Sequence, residues 1–116
     1  MKLIEVVNAR KALVEVTKES KLPFPIAYKI TKFFKATNDD EVFYNEKISE
    51  LFKQYGEDNG EGQILIPKEK VKEVNELAQE LADTEVENSI NFSAEEFGSI
   101  NISVQECAAL LPLIEE

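Results

Sequence analysis

The sequence predicts an α+β protein: an N-terminal helical hairpin with one long helix, then a small β element and two further short helices. Three observations carry this. Counting from Ala27 in alternating steps of three and four lands on Ala27, Ile30, Phe34, Thr37, Glu41, Tyr44, Ile48, Leu51 and Tyr55, seven of them apolar or aromatic. Two unrelated helices would not share that phase across Asn38-Asp39-Asp40, so one helix, straight or bent there, is expected. Pro23 and Pro25 separate this helix from a shorter helical pattern before it. After Gly56 the apolar residues come only in short runs. A helix of about 30 residues is about 45 Å long, more than so small a domain needs to cover its own core. It reads as an arm, or as a surface for another protein.

The elements follow in order. Lys2–Val7 fits a short strand or the lead-in to a helix. Asn8 is a good N-cap, with Ala9, Ala12, Leu13 and Val16 at helical spacing behind it. That helix should end near Ser20, because prolines disfavour helix in the residues before them. Pro25 suits the first turn of the long helix, which completes an antiparallel hairpin over about 8–56. Glu57–Gly62 is a polar, glycine-bearing turn. Its carboxylates lack the alternating ligands and terminal Glu of a calcium loop. Gln63–Ile66 reads as a short strand stopped by Pro67. Val71, Val74, Leu77, Ala78 and Leu81 give an amphipathic helix to about Asp83. Val86, Ile90, Phe92 and Ile100–Ile102 read as short strands around a Gly98 turn. Ser103 with Glu106 forms a capping box for a last helix through Cys107, Leu110 and Leu111, which Pro112 disturbs. The α+β part covers about 62–116, and residues 1–116 form a single domain.

Composition sets the exclusions. A chain of 116 residues can bury roughly two thirds of its unfolded surface. Its 43% hydrophobic and 31% charged content is that of an ordinary globular protein. No apolar run approaches a membrane span, and Met1–Glu5 lacks the flank of a signal peptide. A lone cysteine, Cys107, fits a reducing compartment and reads as a buried structural thiol. Net charge is −10, with 23 acids against 13 bases, so direct nucleic-acid binding is not expected. The charge is uneven. In Met1–Lys35 eight basic side chains and the terminal amine face three acids (Glu5, Glu15, Glu19), and from Ala36 onward acids dominate. An acidic surface either keeps a small protein soluble or mimics DNA to occupy a basic groove.

The absence of histidine is the main chemical fact. It removes the usual general base, the Ser-His and Cys-His nucleophile pairs, and histidine-ligated metals. One cysteine cannot build a zinc or iron–sulfur cluster, and Gly56, Gly60, Gly62 and Gly98 fit no phosphate-cradling loop. No enzyme, cofactor or metal is therefore expected. Chemistry by two carboxylates remains formally open, but 23 acids make any one pair uninformative.

The long helix is aromatic on more than one face: Phe33, Phe34, Phe43, Tyr44, Phe52 and Tyr55. Those in the helical phase read as core. Phe33, Phe43 and Phe52 fall outside it and either widen the buried stripe or lie exposed, where aromatics mark a protein contact. Phe43, Tyr44, Phe52 and Tyr55 are the candidate partner-binding residues.

Lys21-Leu22-Pro23, Ala27–Ile30, Leu51–Gly56, Glu76–Val86 and Ala109–Ile114 together resemble a family of small tailed-bacteriophage proteins of about this length. The chain departs from that pattern at Asn38-Asp39-Asp40. The family has no assigned activity, and the resemblance implies a virion or assembly component. The expectation is a non-enzymatic phage protein that acts through protein–protein binding as a virion or tail-assembly component. It would bind other phage structural proteins or itself as a homo-oligomer, in the virion or the host cytoplasm. The alternative is an acidic inhibitor of a host defence or nucleic-acid-processing protein.

Overall fold

The first helix, α1 (Leu3–Thr17), begins five residues before the expected cap at Asn8. Glu5 supplies the start: its Oε1 accepts from the Lys2 backbone N–H at 2.7 Å. Asn8 lies exposed one turn further in and caps nothing. Lys2–Val7 is thus a helix start, with only Lys2 bridging to Glu85. The expected end at Ser20 lies outside the described residues, which are 1–18, 21–58, 60–98 and 100–115 of the computed structural model. Leu3, Val6, Val7, Ala9, Ala12, Leu13 and Val16 are all buried. A helix buried over so wide an arc must be covered on several sides, and α1 packs against three other helices.

The second helix, α2 (Phe24–Tyr55), runs unbroken for 32 residues with Pro25 in its first turn. It passes straight through Asn38-Asp39-Asp40. Thr37 and Glu41, the two polar interruptions of the apolar stripe, prove to be its sockets for Arg10 of α1. Arg10 Nη1 donates to Thr37 Oγ1 at 2.8 Å and to the Phe34 carbonyl at 2.7 Å, while Nε pairs with the Glu41 carboxylate. Thr37, almost fully buried, donates its own hydroxyl to the Phe33 carbonyl. The Arg10 guanidinium also lies 5.1 Å from the Phe34 ring centroid.

Gly56 ends α2 in extended conformation rather than a left-handed cap. A Cβ there would collide with Ile64 Cγ2 and the Phe52 carbonyl, so only glycine lets the chain turn back. It returns as a two-residue hairpin, β1 (Glu57–Asp58) against β2 (Ile64–Leu65). Gly60 and Gly62 take φ of 82° in the turn, which glycine tolerates without strain. A 3-10 turn, Lys68–Lys70, leads into α3 (Val71–Ala82), which lies along the far half of α2.

The C-terminal part differs from the expected strands around Gly98. Phe92–Ser93 (β3) is a strand, but its partner is Ile114–Glu115 (β4), parallel, with Phe92 opposite Ile114. Ser93 is followed at once by a 3-10 turn, Ala94–Phe97. Ser93 N–H donates to Glu96 Oε1 at 2.8 Å, and the Ser93 hydroxyl accepts from the Glu96 N–H at 3.3 Å. That cap turns the chain away before a hairpin can form, and Ile100–Ile102 stays irregular. The Ser103–Glu106 box does start α4 (Val104–Leu110), and Pro112 falls in a 3-10 turn after it.

Side chains from α1, the first half of α2, Phe92, Phe97, Ile100, Leu110 and Leu113 close one core. The molecule as a whole measures 49 × 29 × 24 Å, and α2, at about 1.5 Å per residue, fills the long dimension. The radius of gyration is 17.0 Å, against about 13 Å for a compact domain of this length. The α+β architecture holds, with α2 as an arm.

Candidate protein-binding surface

Beyond Thr37 no residue of α2 is buried. The inner face continues in phase with Glu41, Tyr44, Ile48, Leu51 and Tyr55, all half-buried. Arg10 of α1 covers Glu41, and beyond it the cover is the single helix α3 and the β1–β2 hairpin. In α3 only Val74 is buried, and Leu77, Ala78 and Leu81 remain half-buried. One helix laid on another shields a line of contact and leaves both flanks open.

The four candidate residues do not share a face. Tyr44 and Tyr55 belong to the inner stripe, and Tyr55 donates its hydroxyl to Glu73 Oε1 on α3 at 3.1 Å. That bond to a carboxylate raises the tyrosine pKa, because ionisation would break it. Tyr55 thus ties α2 to α3. Phe43 and Phe52 are 46% and 43% exposed. Nine residues at about 100° each place them half a turn apart, on opposite flanks. Phe33, the third aromatic outside the phase, is fully buried and widens the stripe at the core end.

Phe43 opens onto a groove of about 350 Å³ between α2 and α3, floored by Phe43, Leu51, Leu77 and Leu81. Its charged margin is Glu50, Glu80 and Lys47. Lys47 Nζ is 3.2 Å from Glu50 and 5.6 Å from the Phe43 ring centroid. Phe52 stands on the other flank. Near the arm tip Ile64 and Leu65 are about half exposed. The groove residues of α3 were predicted only as the buried side of an amphipathic helix. Which helix they face depends on the chain reversal at Gly56, a long-range fact that periodicity does not carry.

A second exposed pair, Phe24 and Tyr28, sits at the other end of α2, stacked with ring centroids 6.2 Å apart. Sequence reasoning passed over it. The available signal was an i, i+4 aromatic pair out of phase with the Ile26–Ile30–Phe33 stripe.

Among the described residues no group of three or more Cys, Asp or Glu side chains is arranged to hold a metal ion. Nor is any described helix long and apolar enough to cross a membrane. Cys107 is half-buried on α4. No protein-family model matches the chain, and no curated protein or solved structure matches it either.

Proposed function

We propose that the chain is a non-enzymatic protein-binding component of a tailed-phage particle or its tail-assembly pathway, acting through the open flanks of the α2–α3 arm. The observation that supports this is the apolar groove under Phe43, set on an arm that the core does not cover. Apolar area left in water is unfavourable by about 25 cal/mol per Å², and a protein partner is the natural cover for a groove with apolar floor and charged margin. The phage setting rests on the family resemblance. Partners are other structural proteins of the particle or further copies of this chain.

The test is a photo-crosslinking residue placed at Phe43 in producing cells, with a control at exposed Lys53. Adducts at Phe43 with itself or with a particle protein, and none at the control, are the expected result. Absence of any position-specific adduct overturns the reading.

A second reading, an acidic inhibitor of a host nucleic-acid-processing protein, is favoured by one observation. Beyond Lys35 only Lys47, Lys53, Lys68, Lys70 and Lys72 offset 20 acidic residues. It requires the Phe43 adduct to be a host protein, and the chain to be absent from purified particles.

A further inference from the structure

Phe24 and Tyr28 are 80% and 55% exposed, with ring planes 19° apart. Pro23 and Pro25 bracket Phe24 and restrict its backbone, so the pair projects as a preformed knob. Its border is cationic. Lys32 holds its Nζ 5.5 Å from the Tyr28 ring centroid, and Lys35 follows Tyr28 by seven residues, on the same stripe. Among the described residues neither lysine forms an ion pair.

The groove between α2 and α3 has the complementary character. Its floor is apolar, and Glu50 and Glu80 stand at its margin. Glu46 and Glu76 lie one turn before them on their own helices. The only base on the margin, Lys47, is held by Glu50.

Knob and groove sit on one helix, with about 22 Å of α2 between Tyr28 and Phe43 at the near end of the groove. A molecule cannot fill its own groove. Two copies joined groove to groove would bring Glu46, Glu50, Glu76 and Glu80 against their own duplicates, a like-charge arrangement that opposes docking. We propose that the chain self-assembles head to tail, the Phe24–Tyr28 knob of one copy seating in the Phe43–Leu77 groove of the next. Such an interface is heterologous, so it closes into a ring or propagates as a filament. This inference rests on the reading of the groove as a protein-binding site and names its occupant.

Complementation between two variants tests it. Phe24→Ser with Tyr28→Ser removes the knob and leaves the groove, and Phe43→Ser with Glu80→Lys spoils the groove and leaves the knob. All four positions are exposed, and circular dichroism should show both variants folded. In sedimentation velocity the native chain should grow beyond a dimer as concentration rises. Each variant alone should associate at least about tenfold more weakly. An equimolar mixture should form a one-to-one dimer that goes no further, since only one working knob and one working groove then meet. A native chain that stays monomeric, a knob variant that associates as tightly as the native chain, or a mixture that does not recover would each overturn the proposal. A monomeric chain that still gives a Phe43 adduct with a different protein would sink this inference and leave the proposed function standing.

Discussion

The two halves of α2 share one helical phase and differ in what covers them. From Phe24 to Thr37 the inner face meets α1 and the C-terminal segments, and Ile26, Ile30, Phe33 and Thr37 are buried. Lys29 fastens this half from the side, with Nζ 3.0 Å from the Asn91 carbonyl and 2.9 Å from Glu96 Oε1. From Asn38 to Tyr55 the same face meets Arg10 of α1 at Glu41 and otherwise one helix and a short hairpin, and no residue is fully buried. A stripe that is continuous in sequence therefore supports a core at one end and an open surface at the other. Periodicity says which way a residue points, and tertiary cover decides how deep it goes.

The largest test of that contrast is a matched pair of truncations. Phe33→Ala empties a fully buried site and should cost about 3–5 kcal/mol in urea unfolding. Leu51→Ala, half-buried in the arm, should cost about 1–2 kcal/mol, near or below the low end expected for core truncations. Equal losses would erase the distinction between the halves.

Arg10→Met comes next. It keeps much of the stem packing but removes the donors to Thr37, Phe34 and Glu41. A loss of about 1–3 kcal/mol is expected, with faster amide exchange around 34–41 as the local signature. An unchanged midpoint would mean that the polar break in α2 does not depend on its arginine.

Phe43→Ser and Phe52→Ser should each change stability by no more than about 0.5 kcal/mol, as for exposed positions. A loss above about 2 kcal/mol for either, read by thermal or urea melting, would mean that the arm is covered within the molecule.

The smallest effect is in pH. The hydrogen bond from Lys29, followed by that from the Ser93 backbone, holds the Glu96 pKa below its ordinary 4.5. A lowered folded-state pKa contributes stability that is fully present above the unfolded value and lost as pH falls through the folded one. Between about pH 6 and the acid limb the native chain should therefore lose more stability than Glu96→Gln. Parallel pH profiles for the two would show that the ion pair adds nothing to the proximal half.

The long helix, its start beside Pro25, the amphipathic α3 and the Ser103 cap were all legible, because each is a local pattern of spacing or capping. The start of α1 was misread because Asn8 looks like a good cap, whereas burial of Leu3, Val6 and Val7 pulls the helix five residues earlier. The strands around Gly98 were misread for a related reason. Ser93 and Glu96 have the same spacing as Ser103 and Glu106, and the cap they form overrides the strand propensity of the flanking isoleucines. Of the candidate surface, the sequence showed that Phe43 and Phe52 leave the buried phase. That they face opposite ways follows from their nine-residue spacing. That only Phe43 meets Leu77 and Leu81 follows from the fold.

An unbroken helix pinned at one end is also a lever. From Thr37, where Arg10 grips it, to Tyr55 runs 18 residues, about 27 Å of stiff rod. A tilt of about 10° at the pin would carry the tip roughly 5 Å, nearly the length of one helical turn. Small shifts in the core around Arg10 would thereby be magnified at the far end, and a load applied there would return as torque on Arg10 and on the buried anchors Ile26, Ile30 and Phe33 behind it.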